Sequence, residues 1–482
     1  MSLDNLKNHP DPDRQGMVET IVAEATPSGR AGVSIVRLSG PSAKTIVQSI
    51  AGPISKARQA LLKTFKNDQG NVIDHGIVIF YEGPASFTGE DVAEFQGHGG
   101  PMVVGALIDQ CLLRGARLAN PGEFSERAFL NEKMDLVQLE AVADLISSAS
   151  SAAARSALKS LSGAFSLLVN DLVEAVTRLR VYVEAAIDFP DEDIEFLADP
   201  QVLDDMTELE TRLLAVLEQA QQGRKLHAGF SIALIGAPNV GKSSLMNRFS
   251  GHPSAIVTEI PGTTRDVIKE ELVLAGFALQ LFDTAGIRVA GDAIEAEGVE
   301  RTLQTYANAD LNLFVFDVMD SDIREALGDT GSLQGLLVEK LDHLLGQPHS
   351  HQSGLFVLNK IDQLSSLERS QLVDHLEPQN PVVAVSAENG ENWGQLTESL
   401  KHLMGLQDQS ETLFSARTRH VSALSEASVH LAKASENLRG AQPGELIAED
   451  LKLAQICLGE ITGKISSDEL LGKICSSLCI RR

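Results

Sequence analysis

Residues 231–244, SIALIGAPNVGKSS, constrain this chain more than any other stretch of similar length. An apolar run of strand character leads into Gly236-x-x-x-x-Gly241-Lys242-Ser243, and helix-forming residues follow. Glycines let the backbone curl around an anion with its N–H groups pointing inward, and the helix start adds partial positive charge. A lysine at this position reaches the outer phosphates of a nucleotide, and the hydroxyl after it is a hard oxygen ligand for Mg²⁺. Asn239, Val240, Gly241, Lys242, Ser243 and Ser244 are therefore candidate nucleotide contacts, and the strand–loop–helix order calls for an α/β sheet. The side-chain oxygen of Asn239 has two readings, a turn cap or a ligand for a monovalent cation.

Four further motifs follow in the order a guanine-nucleotide switch requires. The second strand signal, LQLFDTAG, ends in Asp283-Thr284-Ala285-Gly286, where an acid at a strand end holds Mg²⁺ through water and a glycine N–H faces the γ-phosphate. Between it and the phosphate loop lies Gly262-Thr263-Thr264-Arg265-Asp266, and Thr264 is the natural second hydroxyl ligand of Mg²⁺. The apolar strand 355–358 runs into Asn359-Lys360-Ile361-Asp362. A carboxylate there accepts two N–H groups of guanine, which adenine does not offer, while the lysine stem packs on the ring. Ser386-Ala387, after the strand signal 382–385, offers a backbone N–H to the base. The chain thus reads as a GTP hydrolase. Small GTPases place Gln after DTAG to orient water; here that position is Ile287, so another group is needed. Glu295 lies a short distance beyond, although spacing alone reads it as a solvated helix acid.

Composition narrows the setting. The 482 residues carry a formal net charge of −26, which argues against autonomous nonspecific nucleic-acid binding, since that needs clustered Lys and Arg. The polar N-terminus does not read as a signal peptide, no run is long enough to span a bilayer, and the four cysteines form no CxxC pair. These features predict a reduced, cytoplasmic protein away from membranes.

Along the chain, residues 1–17 read as disordered and 18–119 as a small α+β domain with strands near 20–23, 32–38 and 76–81 and a helix over 102–113. Residues 120–228 turn helical. One predicted helix carries Leu161, Phe165, Leu168, Leu172, Val176, Leu179, Val183 and Ile187 on its apolar face and stops before Pro190; another carries Met206, Leu209, Leu213 and Leu217. Residues 229–403 alternate strand and helix, and 404–482 are helical again, with Leu446, Ile447, Leu451, Ala454, Leu458 and Ile461 periodic. Periodicity leaves open whether the helical blocks are separate bundles or one bundle interrupted by an inserted domain.

The segments ETIVAEATPSGRAGVSIVRLSG, SFTGEDVAEFQGHGG, GARLANPGEFSERAFLNEKMDLVQLEAVADLI, AIVTEIPGTTRDVI and the C-terminal ELIAEDLKLAQICLGEITGKISSDELLGKICSSLCI closely resemble the MnmE (TrmE) family of tRNA-modification GTPases. The resemblance implies an N-terminal domain that binds a tetrahydrofolate derivative and dimerises, and an all-α helical domain interrupted by an inserted α/β P-loop G domain. It implies that a homodimer, with the flavin-dependent partner MnmG, installs an aminomethyl or carboxymethylaminomethyl group on the fifth carbon of the tRNA wobble uridine. It also implies K⁺ bound by Asn239, Thr258, Ile260 and Thr263, with Glu295 orienting water, and folate bound by Arg37, Glu94, Lys133 and the terminal Arg482. Thr258 and Thr263 would also contact GTP. Arg265 and Arg288 fall at switch positions, and Arg265 is a candidate for catalysis. Here the tail reads Leu-Cys-Ile-Arg-Arg where the family usually has Phe-Cys-Ile-Gly-Lys; Cys479 is kept, and reads as a catalytic thiol or, more readily, a structural one. The competing reading is a regulatory, ribosome-assembly GTPase that does no covalent chemistry on RNA, although the chain lacks the basic module such proteins add. A folate-dependent one-carbon transferase that acquired a G domain is the third.

Overall fold

The computed structural model describes residues 19–188, 200–251, 268–274, 277–283, 307, 309–327, 333–345, 354–375, 382–404 and 414–464. The chain divides into two compact units, residues 1–143 with 459–482, and residues 144–458.

The first unit is built on strands β1 (Ile21–Glu24), β2 (Ala31–Ser39), β3 (Leu61–Lys66), β4 (Val72–Tyr81), β5 (Val92–Gly99) and β6 (Arg117–Leu118), in the order β3-β4-β5-β2-β1-β6. All neighbours are antiparallel except β1 and β6. Helices α1 (Ala43–Ala51) and α2 (Pro101–Leu113) contribute Ile46, Val47, Ile50, Val104 and Leu107 to the core. The strands answer with Val36, Leu38, Phe65, Val78, Phe80 and Phe95, the alternate residues that a one-sided sheet buries. Where the β4–β5 ladder ends, the Asp74 carboxylate takes over. It accepts from the backbone N–H of His98 at 2.8 Å and of His75 at 2.7 Å, and pairs with His98 Nδ1 at 2.7 Å. Burial raises the pKa of Asp74, but these bonds outweigh it and leave the pKa lowered.

Helices α3 (Glu123–Leu130) and α4 (Leu136–Ser147) follow. The buried Arg127 guanidinium donates to Glu90 Oε2 at 2.9 Å and to Glu123 Oε1 at 2.8 Å, and Arg117 grips Glu123 at 2.6 and 2.8 Å. Burial raises the Glu123 pKa, but bonds from Arg117, the Asn120 N–H and Arg127 win and bring it down to about 2.

In the second unit, helices α5 (Ser151–Leu161), α6 (Ala164–Asp188) and α7 (Pro200–Ala228) pack with α13 (Thr418–Arg439) and with α14 (Gly444–Thr462), which belongs to this unit up to Leu458. The two helical blocks therefore form one bundle, and the α/β sheet lies between them in sequence. The helix expected to run unbroken from Leu161 is two: Gly163, at φ +89°, breaks it, and α6 then buries Val169 where the spacing predicted Leu168. Leu446 is likewise exposed, while Ile447, Leu451, Ala454, Leu458 and Ile461 are buried.

The chain re-enters the bundle at Phe414, which stacks on Phe165 with ring centroids 4.2 Å apart. Ser415 donates to the buried Asp144 carboxylate at 2.8 Å, and Arg417 pairs with Asp144 as well. Gly223 of α7 lies so close that a Cβ there would overlap the Phe414 carbonyl oxygen.

Strands β7 (Phe230–Ile235), β8 (Ile268–Leu274), β9 (Phe277–Asp283), β10 (Leu311–Asp317), β11 (Gly354–Asn359) and β12 (Val382–Ala384) form a sheet of order β12-β11-β10-β7-β9-β8, parallel except at β8. Ile232 and Leu234 feed one core with α8 (Lys242–Ser250) and α12 (Trp393–Leu403). Ala233 and Ile235 feed the other, with α9 (Ser321–Leu327), α10 (Leu333–Leu345) and α11 (Ser366–His375). A sheet covered on both faces explains why β10 is buried without a break from Leu311 to Phe316.

Candidate functional site: a phosphate cradle joined to a base pocket

β7 is a central strand, flanked by β10 and β9, so the loop after it opens at the carboxyl end of the sheet where the strand order reverses. Loop residues 236–241 have little room. A Cβ on Gly236 would overlap the Val315 carbonyl, and one on Gly241, at φ +100°, would overlap the Asn359 amide. Asn239 sits at φ +65°, a conformation asparagine tolerates. Lys242, buried at the first turn of α8, donates through Nζ to the carbonyls of Gly236 at 2.8 Å and Ala237 at 2.9 Å, which fixes its charge at the loop. Ser243 and Ser244 are exposed on the same turn.

Asn359 ends β11 and ties this cradle to the base side. Its Nδ2 donates to the Val240 carbonyl at 3.0 Å, and its Oδ1 accepts the Ala387 N–H at 3.0 Å. Lys360, at φ +68°, swings its Nζ onto the Asn239 carbonyl at 2.8 Å and the Asp317 carboxylate at 2.6 Å. Asp362 is half-buried in the short 3₁₀ turn Ile361–Gln363. Ser386 is fully buried, and its Oγ accepts the Asn389 N–H at 3.2 Å. The structure thus gathers Asn239, Val240, Gly241, Lys242, Asn359, Lys360, Ser386 and Ala387 into one linked constellation. Asp283 closes β9 in register with Leu234 of the phosphate-loop strand.

Thr258, Ile260, Thr263, Thr264, Arg265, Thr284, Ala285, Gly286, Ile287, Arg288, Glu295, Cys479 and Arg482 lie outside the described residues. Two participants were not read from the sequence. Asp317, the acid that ends the apolar strand FVFD, accepts from Lys360 Nζ at 2.6 Å. Arg248, in the last turn of α8, donates through Nε to the Ala387 carbonyl at 2.6 Å and through Nη2 to the Glu388 carbonyl at 2.5 Å. An acid closing a strand was a usable signal for the first. The second had none, because its partners lie 139 and 140 positions away.

In the first unit, Arg37 and Glu94 are cross-strand partners on β2 and β5. Arg37 Nε donates to Glu94 Oε1 at 2.9 Å, and its guanidinium carbon lies 5.6 Å from the Phe87 ring centre and 6.0 Å from that of Phe124. Lys133 packs its stem where a Cβ on Gly89 would touch it, and its N–H donates to the Ala128 carbonyl at 2.8 Å. The Arg37 guanidinium thus meets the buried Glu94 carboxylate and lies within about 6 Å of two phenylalanine rings.

Among the described residues no helix is long and apolar enough to cross a membrane. The family model for the GTP-binding protein TrmE N-terminus matches residues 20–133, and that for the MnmE helical domain matches 136–479. The tRNA modification GTPase MnmE of Photobacterium profundum is 46% identical over 466 residues, 96% of this chain and 98% of that protein. The protein of the same name from a Marinomonas species is 46% identical over 462 residues, 96% of this chain and 97% of that protein. Matches that run through both domain models and almost the full length of two curated relatives show that the chain belongs to the MnmE family.

Proposed function

We propose that this protein is a GTPase that couples GTP hydrolysis to modification of the wobble uridine of tRNA at its fifth carbon, acting as a homodimer with the flavin-dependent partner MnmG in the cytoplasm. The observation that carries the GTPase reading is Asn359, which bonds the phosphate loop on one side and the 386–388 turn on the other. A nucleotide that fills the cradle therefore meets a base pocket already held at a fixed distance. Asp362 supplies the carboxylate for the two guanine N–H groups, and the Lys360 stem covers the ring.

Lys242 brings its ammonium to the β- and γ-phosphates, where charge develops as the terminal bond breaks. Ser243 and Thr264 would hold Mg²⁺, which supplies charge neutralisation on the phosphate oxygens, with Asp283 behind them through water. Asn239, Thr258, Ile260 and Thr263 would hold K⁺, which supplies the positive charge that an arginine finger brings elsewhere. Glu295 orients the attacking water in place of the missing Gln, with Arg265 at the neighbouring switch. In the first unit, Arg37, Glu94 and Lys133, with Arg482, take a tetrahydrofolate derivative. The Phe87 and Phe124 rings beside Arg37 suit a pterin.

GTP turnover in K⁺ and in Na⁺ at equal ionic strength, for the natural protein and for Glu295→Ala, tests the reading. Strong K⁺ stimulation that Glu295→Ala abolishes, with GTP binding kept, is the expected result. Equal rates in both salts, or normal hydrolysis by Glu295→Ala, would remove the roles given to Asn239 and Glu295 and favour a binding switch without covalent RNA chemistry. Analysis of tRNA nucleosides from cells lacking the protein then separates the two: loss of the uridine modification supports the enzyme, and intact modification supports the switch.

A further inference from the structure

We infer that Arg248 is a positioning residue for guanine recognition, acting through the 386–390 turn rather than by contact with the nucleotide. The turn follows β12 and precedes α12, and its own bonds account for most of its N–H groups. That of Ser386 donates to the Glu391 carbonyl at 3.1 Å, Ala387 to Asn359 Oδ1 at 3.0 Å, Asn389 to Ser386 Oγ at 3.2 Å and Gly390 to the Ser386 carbonyl at 2.9 Å. The N–H of Glu388 is left without a partner among the described residues, one peptide beyond the group that Asn359 holds.

A trans peptide is planar, and its C=O and N–H point in opposite directions. The Ala387 carbonyl and the Glu388 N–H belong to the same peptide. By gripping that carbonyl at 2.6 Å, Arg248 turns the Glu388 N–H away from α8 and holds it there. Its second bond, to the Glu388 carbonyl at 2.5 Å, fixes the next peptide as well. Bonds from a charged donor are stronger than neutral ones, and the planar guanidinium serves two acceptors at once. The fit is close on the third side too: Gly390, at φ +84°, has no space for a Cβ because the Arg248 guanidinium occupies it. α8 is the helix that begins at the phosphate-binding Lys242, so one side chain links the phosphate end of the site to a donor suited to the O6 edge of guanine.

This inference rests on the placement of the base beside Lys360 and Asp362. It is tested on the full-length protein by release of a fluorescent GDP and by competition between GDP and 6-thio-GDP, whose sulfur accepts hydrogen bonds poorly. Arg248→Met is expected to speed GDP release about tenfold, the size of one lost hydrogen bond between the Glu388 N–H and the base. It should also narrow the preference for GDP over 6-thio-GDP, with Arg248→Lys, which keeps one donor, in between. Unchanged release, or equal weakening of both nucleotides, overturns the inference. Should the methionine variant not fold, the lysine variant carries the same two outcomes. Asp362→Asn tests the base site separately: a shift toward xanthine nucleotides upholds the placement, and retained guanine preference removes it whatever Arg248 does.

Discussion

Asp317 shows how a single carboxylate can act at one remove. In the proposed site the Lys360 stem lies over the guanine ring, and its ammonium donates both to the Asn239 carbonyl and to Asp317. Asp317→Asn keeps the shape and removes the charge. Guanine-nucleotide affinity should fall about three- to tenfold, the range of a partly exposed charged hydrogen bond, as read by calorimetry with GDP. Arg127 is the opposite case, a buried cation between Glu90 and Glu123. Arg127→Met leaves two carboxylates buried without it and should cost about 3–5 kcal/mol, measured by denaturant unfolding of the first unit. The same cluster sets an acid limit. The folded pKa of Glu123, about 2, lies below its ordinary 4.5. Its stabilising contribution is therefore present above the unfolded value and is lost as pH falls through the interval down to about 2. An unfolding midpoint that stays flat between pH 6 and about pH 3 would contradict this.

At the scale of elements, local pattern was readable and distant contact was not. The phosphate loop and Asn359-Lys360-Ile361-Asp362 were legible because each puts its chemistry on adjacent residues at a strand end. The strands β10, β11 and β12 were legible because a doubly covered sheet buries every residue in a run. The break at Gly163 was missed because Leu161 fits the periodicity of α6 by coincidence, and only a left-handed glycine shows that the chain turns there. Leu446 was misplaced for a related reason: the end of a stripe is ambiguous when two adjacent residues are apolar. Gly223 reverses a rule of helices. Replacing a mid-helix glycine with alanine usually stabilises by about 1 kcal/mol. In α7 the new Cβ meets the Phe414 carbonyl, so Gly223→Ala should instead destabilise by about 1–3 kcal/mol, seen as a lower melting temperature.

Across the whole molecule, each compact unit has its own core, and the nucleotide constellation lies within the second. GDP at about one hundred times its dissociation constant should stabilise the unit that binds it by about 2.7 kcal/mol. The calorimetric transition of residues 144–458 should rise accordingly, while that of the first unit stays in place; a common shift of both would show that they unfold as one. Gly223 of α7 lies against the Phe414 carbonyl. Gly223 lies six residues before Gly229, about 9 Å along a helix, so the chain leaves the bundle and returns to it at neighbouring points. A polypeptide with that property can gain or lose a whole module at one locus without redesign of its host. A gene in which a few codons for a polar loop replace residues 229–404 should therefore still encode the helical bundle, and the excised segment should serve as a transplantable cassette.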